Sequence, residues 1–266
     1  MNGEHLELRV RSAPGWLREV PLAHRGLHGA GVPENSLAAF AAACDAGVGI
    51  ELDVRLSADG VPVVFHDRTL TRDGATVHVS RMTAEELSRV RLGDTDETVP
   101  TLAQALEVAG PAPVMVEVKN ERARAGGLEA AAVTVMAAHD DAGGGPTCAA
   151  SFNPWTLRWL RRRRPAVDRV LTAGPMDDAT IPAGMKWTVR TLRLLARIEP
   201  VAVAYDVVGL DAPSVQEYRE AGGTVVAWTV STPELLATAR RLGDNVIFER
   251  LSVEQVLSSA ATEAGD

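Results

Sequence analysis

The sequence predicts an α/β fold in which eight parallel strands close into a TIM (β/α)8 barrel. Short runs rich in Val, Ile and Ala recur along the chain, and stretches with helical periodicity separate them. The length of 266 residues suits this barrel as one domain, which typically needs about 250 residues. Hydrophobic residues make up 46% of the chain and charged residues 23%, so we expect a large buried core.

The apolar runs locate the eight barrel strands. We predict them at 20–24, 48–54, 114–118, 147–151, 169–172, 202–206, 224–229 and 245–249. Capping residues followed by proline, as in Asn153-Pro154 and Thr232-Pro233, mark helix starts between strands. A doubly wound open sheet is the rival fold. It is disfavoured because Gly26, Gly29 and Gly31, after the first strand, lack the spacing of a dinucleotide-binding loop.

One further apolar run, 61–66, does not fit this alternation. It follows the second strand too closely in sequence for a parallel crossover, so the two must form an antiparallel hairpin. Asp59-Gly60 would supply the positive-φ turn. Such a hairpin returns His66 towards Asp53, and it begins an insertion between barrel strands 2 and 3.

The predicted organisation is one barrel domain over 20–266, with the insertion at about 55–100, preceded by an N-terminal extension over 1–19. The net charge of -8 repels polyanions and argues against a nucleic-acid partner. The two cysteines are expected to be free thiols, which suits a reducing compartment. We recognise neither a signal peptide nor a transmembrane segment, so we expect a cytoplasmic protein without a stable membrane anchor. Nothing in the sequence indicates an oligomeric state.

Charged residues alternate with apolar ones at the ends of the second and third strands. Alternation places Glu51 and Asp53 on one face of the second strand, and Glu117 is placed likewise on the third. Buried carboxylates repel each other unless a cation or proton separates them, and oxygen ligands suit Mg²⁺ or Ca²⁺. Lys119 could neutralise a phosphate or hold a carboxylate in place. The simpler alternative is a buried Glu–Lys ion pair.

Two histidines are expected at the same barrel mouth. His24 ends the first strand beside Arg25, a permanent cation suited to phosphate, although such a pair taken alone is more often ordinary surface chemistry. A hairpin that folds back would place His66 opposite His24 across the metal. Two imidazoles would then be available for general acid and base catalysis, with Asp67 fixing the tautomer of His66.

Six motifs together resemble the glycerophosphodiester phosphodiesterase family, within the superfamily of phosphatidylinositol-phosphodiesterase-like TIM barrels. In chain order they are His24-Arg25-Gly26, Pro33-Glu34-Asn35-Ser36, Glu51-Leu52-Asp53-Val54, 59–67, Glu117-Val118-Lys119 and Trp228-Thr229-Val230. The resemblance extends from about residue 20 to residue 249. It implies hydrolysis of small glycerophosphodiesters to glycerol 3-phosphate and an alcohol.

The resemblance also implies a role for each residue of the site. A divalent metal, Mg or Ca, would be held by Glu51, Asp53 and Glu117. His24 and His66 would be the catalytic pair. Arg25 and Lys119 would contact the phosphate, and Trp228 would line the glycerol or leaving-group pocket. Phe152 would line the mouth or pack in the core. Asn35, in the turn after the first strand, is interpreted as a helix cap.

One segment departs from the resemblance. Relatives usually carry a Thr-Asp pair after the eighth strand, where this chain has Phe248-Glu249-Arg250, so the effect of the closing loop on substrate shape stays open. A lysophospholipase D or sphingomyelinase D activity on lipids would use the same site but needs an apolar rim, whereas the insertion is rich in charged residues. A catalytically silent binding barrel would lack a metal carboxylate or a histidine, and none is missing.

Overall fold

The computed structural model describes residues 10–72, 74–120, 125–175 and 190–258, and eight strands within them form a closed parallel barrel. Closure occurs because the first strand pairs with both the second and the last. The strands in chain order are β1 (Leu22–His24), β2 (Gly49–Leu56), β3 (Pro62–Val64), β4 (Thr69–Arg72), β5 (Ala75–His78), β6 (Val114–Val118), β7 (Thr147–Ser151), β8 (Arg169–Ala173), β9 (Ala202–Asp206), β10 (Thr224–Val230) and β11 (Asn245–Phe248). The predicted barrel is confirmed, and its members are β1, β2 and β6–β11.

Of the described helices, all but the first and the last lie between barrel strands in the chain. The helices are α1 (Trp16–Glu19), α2 (Leu37–Asp45), α3 (Ala84–Leu87), α4 (Leu102–Ala109), α5 (Gly127–Asp141), α6 (Pro154–Arg163), α7 (Leu195–Ile198), α8 (Pro213–Glu220), α9 (Pro233–Leu242) and α10 (Val253–Leu257). Asn153 and Thr232 cap α6 and α9, each followed by proline. The interpretation of Asn35 as a cap is wrong, since Ser36 accepts the capping bond of α2 from Ala39 N. None of the described helices has the length and hydropathy needed to cross a membrane.

Strand alternation divides the core into two layers. On β2, Ile50, Leu52 and Val54 are fully buried in the large cluster between barrel and helices. Inside the barrel, Met115 and Ala150 belong to a smaller cluster of inward-facing apolar side chains. The inward positions nearer the carboxyl ends of the strands are polar, so the barrel has an apolar floor beneath a charged mouth.

The hairpin predicted after β2 is confirmed. β2 and β3 pair antiparallel, with Val54 opposite Val64. Within the turn only Gly60 has a positive φ, of 81°, which its missing Cβ permits. Asp59 instead accepts hydrogen bonds from Ser57 Oγ at 2.6 Å and from Ala84 N at 3.0 Å. The turn is thereby tied to α3.

The rest of the insertion packs around its own apolar cluster. The β4–β5 hairpin, a 3-10 turn at Val79–Arg81 and α3 supply buried side chains that include Leu70, Val79 and Leu87. Because this cluster lies beside β3, the insertion supports the hairpin from the outside and holds the segment after β3 over the barrel mouth.

The amino end of the barrel is closed by α1. Leu17 is fully buried, and Asn245 Nδ2 donates to Leu17 O at 3.1 Å and to Val20 O at 2.8 Å. Part of the predicted extension therefore packs against the barrel floor, whereas residues 1–9 of it lie outside the described residues. The division into an extension and a single domain stays a prediction.

Candidate functional site

The predicted site residues meet at the carboxyl ends of the barrel strands. A cavity of about 170 Å³ there is lined by His24, Arg25, Glu51, His66, Glu117, Lys119 and Trp228, among others. The remaining predicted residue, Asp53, lies at the same height and is only 1% exposed. Strand ends from both sides of the barrel therefore bring all eight predicted residues into one region.

Three carboxylates form the centre of this site. Glu51 and Asp53 alternate along β2, and Asp53 is paired in register with Glu117 on β6. All three residues are buried, and each contributes an oxygen within 4.8 Å of the others. The closeness follows from strand pairing, because residues in register on adjacent parallel strands project to the same side at the same height.

Asp53 and Glu117 have cationic partners. Lys119 Nζ lies 3.0 Å from Asp53 Oδ1 and 2.8 Å from Glu117 Oε1. Arg25 Nε lies 3.1 Å from Asp53 Oδ2, which also accepts a hydrogen bond from Asn35 Nδ2 at 3.0 Å. The buried Glu–Lys ion pair considered as the simpler alternative is thus present, and it includes Asp53 as well.

The three carboxylates differ in charge compensation. Burial favours the protonated form of Asp53, but Lys119 and Arg25 outweigh it and lower the pKa of Asp53. Burial, reinforced by the charge of Asp53, raises the pKa of Glu51 to about 8. Glu51 accepts one backbone hydrogen bond, from Arg25 N at 3.2 Å. The cluster therefore takes up either a proton at Glu51 or a further cation at neutral pH.

Each of the two predicted histidines has a carboxylate at Nδ1. His24 Nδ1 lies 2.8 Å from Glu249 Oε2, and His66 Nδ1 lies 2.8 Å from Asp67 Oδ1. An ionised carboxylate only accepts hydrogen bonds, so each of these contacts is a hydrogen bond when the imidazole carries its proton on Nδ1. Burial lowers the basicity of His24, but the hydrogen bond to Glu249 and the charge of Glu51 raise its pKa overall. In the neutral state Nε2 of each ring is then the atom able to accept a proton.

An aromatic pair forms another wall of the cavity. The rings of Trp228 and Phe152 pack edge to face, with centroids 5.3 Å apart. Trp228 Nε1 donates to Ala173 O and Ala204 O, both at 3.1 Å, which fixes the indole against β8 and β9. Lys119 Nζ lies 5.8 Å from the centroid of Phe152. Phe152, for which two positions were considered, lines the mouth.

Two contributors to the site were missed from the sequence. Glu249 was noted only as a departure from the family pattern, and Asn35 was taken for a helix cap. The signal for Glu249 was available in the barrel topology, because β1 and β11 are neighbours and Ala23 pairs with Phe248, so the next residues of both strands meet. For Asn35, whose φ is 56°, no local pattern distinguishes a cap from a contact with a distant strand.

Comparison with known proteins identifies the family of this chain. The sequence model described as the Glycerophosphoryl diester phosphodiesterase family matches residues 24–251. A Mycobacterium tuberculosis H37Rv protein named "Probable glycerophosphodiester phosphodiesterase 2" is 29% identical over 245 residues, covering 87% of each chain.

Two solved structures share the fold. An Oleispira antarctica phosphodiesterase, described in complex with the product sn-glycerol-3-phosphate, aligns with a TM-score of 0.72 and 27% identity over 90% of this chain and 95% of that one. A glycerophosphodiester phosphodiesterase from Parabacteroides distasonis ATCC 8503 aligns with a TM-score of 0.69 and 26% identity over 88% and 93%. The chain belongs to the glycerophosphoryl diester phosphodiesterase family, whose members are phosphodiester-hydrolysing enzymes.

Proposed function

We propose that this chain hydrolyses small glycerophosphodiesters to glycerol 3-phosphate and an alcohol, using a divalent metal, Mg²⁺ or Ca²⁺, and two histidines. The observation that carries the proposal is a cluster of buried carboxylates whose negative charge is not fully balanced by the neighbouring cations. The same barrel mouth holds two imidazoles, each in contact with a carboxylate. The substrate follows from the family and from the glycerol 3-phosphate bound in the Oleispira antarctica relative.

The donor set of Glu51, Asp53 and Glu117 fits a divalent ion. The ligands are all oxygens, which Mg²⁺ and Ca²⁺ prefer. The raised pKa of Glu51 means that a nearby positive charge would stabilise its ionised form. Lys119 and Arg25 contribute two cations to three carboxylates. When bound, the metal supplies charge neutralisation for the non-bridging oxygens of the phosphate.

The protein's own groups account for the remaining steps. Arg25 binds the phosphate through its guanidinium, whose orientation is set by Glu34 Oε1 at 2.7 Å from Nη1. Lys119, which contacts the carboxylates of Asp53 and Glu117, adds a second positive charge for the phosphate. One histidine accepts the proton of the attacking hydroxyl at Nε2, and the other, protonated, donates to the departing alcohol. Acid–base catalysis by such a pair contributes about 10²–10⁴-fold per positioned group.

The two sides of the site suit the two halves of the substrate. Trp228 and Phe152 present an apolar wall that packs against the carbon chain of glycerol. On the other side, Lys119 also borders a neighbouring cavity of about 320 Å³, which provides space for the leaving alcohol. We infer that the phosphate is held between them, near Lys119.

The test begins with protein from which a chelator has removed bound metal and to which Mg²⁺ or Ca²⁺ is then added back. Its hydrolysis of glycerophosphocholine and glycerophosphoethanolamine is followed, and the products are identified by NMR. We expect metal-dependent release of glycerol 3-phosphate, lost in Glu117→Gln and reduced at least 100-fold in His24→Ala and in His66→Ala. Glu254→Gln, which replaces an exposed carboxylate on α10, serves as the control. Turnover that ignores chelator, or that survives in both histidine variants, would refute the proposal.

A second candidate function is hydrolysis of a lysophospholipid headgroup at a membrane surface. It is favoured by two exposed apolar side chains that closely follow barrel strands in the chain: Trp155, in the first turn of α6, is 43% exposed, and Val208, in a 3-10 turn after β9, is 69% exposed. Lysophosphatidylcholine in vesicles distinguishes the two candidates. Faster turnover of the vesicle substrate than of glycerophosphocholine, reduced by Trp155→Ser, would favour the lipid.

A further inference from the structure

We propose that Glu249 is a positioning residue for the reaction: it fixes the His24 imidazole with the proton on Nδ1, so that Nε2 is presented to the reacting atoms. The inference rests on the proposed function. It is carried by the contact of 2.8 Å between His24 Nδ1 and Glu249 Oε2, both side chains being less than one fifth exposed. A partner on one imidazole nitrogen decides which nitrogen is left for chemistry.

The position of Glu249 is set by the backbone. It follows β11, and Glu249 N donates to Val230 O at 3.1 Å, which anchors the residue between β10 and β1. Its second oxygen, Oε1, lies 3.5 Å from Arg250 Nε. That contact is long and the arginine is exposed, so the carboxylate is held mainly through Oε2. Its hydrogen bond to His24 lowers the pKa of Glu249, which favours the ionised form that can only accept.

The other charged groups around His24 do not substitute for Glu249. Glu51, from β2, and Arg25, next in the chain, act on His24 through their charges and not through a hydrogen bond to its ring. His28 is the competing partner for Glu249, but its Nε2 lies 3.8 Å from Oε2, beyond hydrogen-bond distance. Among the described groups, Glu249 is the one that contacts Nδ1 of His24.

The site contains an internal comparison. His66 has an equivalent contact with Asp67, but Asp67 is 71% exposed, against 17% for Glu249. Water competes for an exposed carboxylate and weakens its hold on the ring, whereas a buried charge-assisted bond is retained. The two carboxylates should therefore differ in importance, with Glu249 the more important.

The experiment compares Glu249→Gln with Asp67→Asn, using glycerophosphocholine and the metal-loaded protein. The glutamine side chain is similar in shape but presents NH₂ as readily as oxygen to Nδ1. We expect kcat to fall about 10- to 100-fold in Glu249→Gln, the range for removing a group that orients a functional histidine, with KM nearly unchanged. Asp67→Asn should lose less. The exposed Glu254→Gln is the matched control for loss of a carboxylate.

Two readouts separate positioning from a merely structural role. The limb of the pH profile assigned to His24 should move to lower pH in Glu249→Gln, because a group that raises the pKa of the imidazole is gone. ¹⁵N NMR should show the Nδ1–H tautomer of His24 in the parent and a mixture in the variant. Glu249→Asp, which keeps the charge, should recover part of the activity and the parent tautomer.

The outcomes also separate this inference from the proposed function. A parent without glycerophosphodiesterase activity refutes the proposed function, while the NMR arm still tests the contact. An active parent whose Glu249→Gln variant keeps kcat, the pH profile and the tautomer overturns the role of Glu249.

Discussion

Replacing Glu51 by Gln should stabilise the metal-free protein while abolishing metal binding. Burial, with the charge of Asp53 beside it, raises the pKa of Glu51 from 4.5 to about 8. The folded protein therefore holds a proton that the unfolded chain has lost, and stability falls as pH rises from about 4.5 to about 8. Glutamine keeps an oxygen that can accept from Arg25 N and has no proton to lose.

The size of the effect follows from the two pKa values. A pH of 7 lies about 2.5 units above the pKa of Glu51 in the unfolded chain, so the carboxyl is ionised there. In the folded protein the same carboxyl is still mostly protonated at pH 7. At ~1.36 kcal/mol per unit, the wild-type protein loses about 3 kcal/mol relative to low pH. The advantage of Glu51→Gln should thus be small near pH 5 and greatest at pH 8 or above.

The assay is urea unfolding in chelator at pH 5, 7 and 8, with Glu254→Gln as the control, for which we expect a change within about 0.5 kcal/mol. Adding Mg²⁺ or Ca²⁺ at 100 times its Kd should then stabilise the wild type by about 2.7 kcal/mol and leave Glu51→Gln unchanged. Equal stability of variant and wild type at pH 8 in chelator would refute the account of the cluster as short of positive charge.

Three further predictions concern metal binding at Glu51, the contact made by Asn35 and the packing around Gly49. Metal binding at pH 7 should release about one proton from Glu51, measured by calorimetry in buffers of different ionisation heat; binding without proton release contradicts the raised pKa. Asn35→Ala should cost about 2–4 kcal/mol in urea unfolding, since it removes a buried bond to Asp53 and places alanine at a positive φ; a loss below about 1 kcal/mol would count against that contact. Gly49→Ala should destabilise by about 1–3 kcal/mol, because its methyl would lie 2.5 Å from Leu22 Cδ2 and 3.0 Å from Pro113 O; an unchanged melting temperature would show that the strands can separate there.

Much of the fold and part of the site could be predicted from local patterns. Two-residue alternation places Glu51 and Asp53 on one face of β2 whatever surrounds it, because successive side chains of a strand point to opposite sides. The short connection before residue 61 permits only an antiparallel return, so the hairpin that carries His66 to the mouth was also predictable. These conclusions depend on neighbouring residues alone.

The remaining features depend on which strands become neighbours. The pairing of β1 with β11 brings Glu249 to His24 across 225 residues of sequence, and the pairing of β2 with β6 sets Lys119 between Asp53 and Glu117. Asn35, predicted to cap a helix, instead donates a hydrogen bond to Asp53 on β2. Sequence by itself determined which residues carry charge and which way they face along each strand. Only barrel closure decided their partners, and with them which carboxylate is left undercompensated, because burial and distance across the barrel are properties of the whole fold.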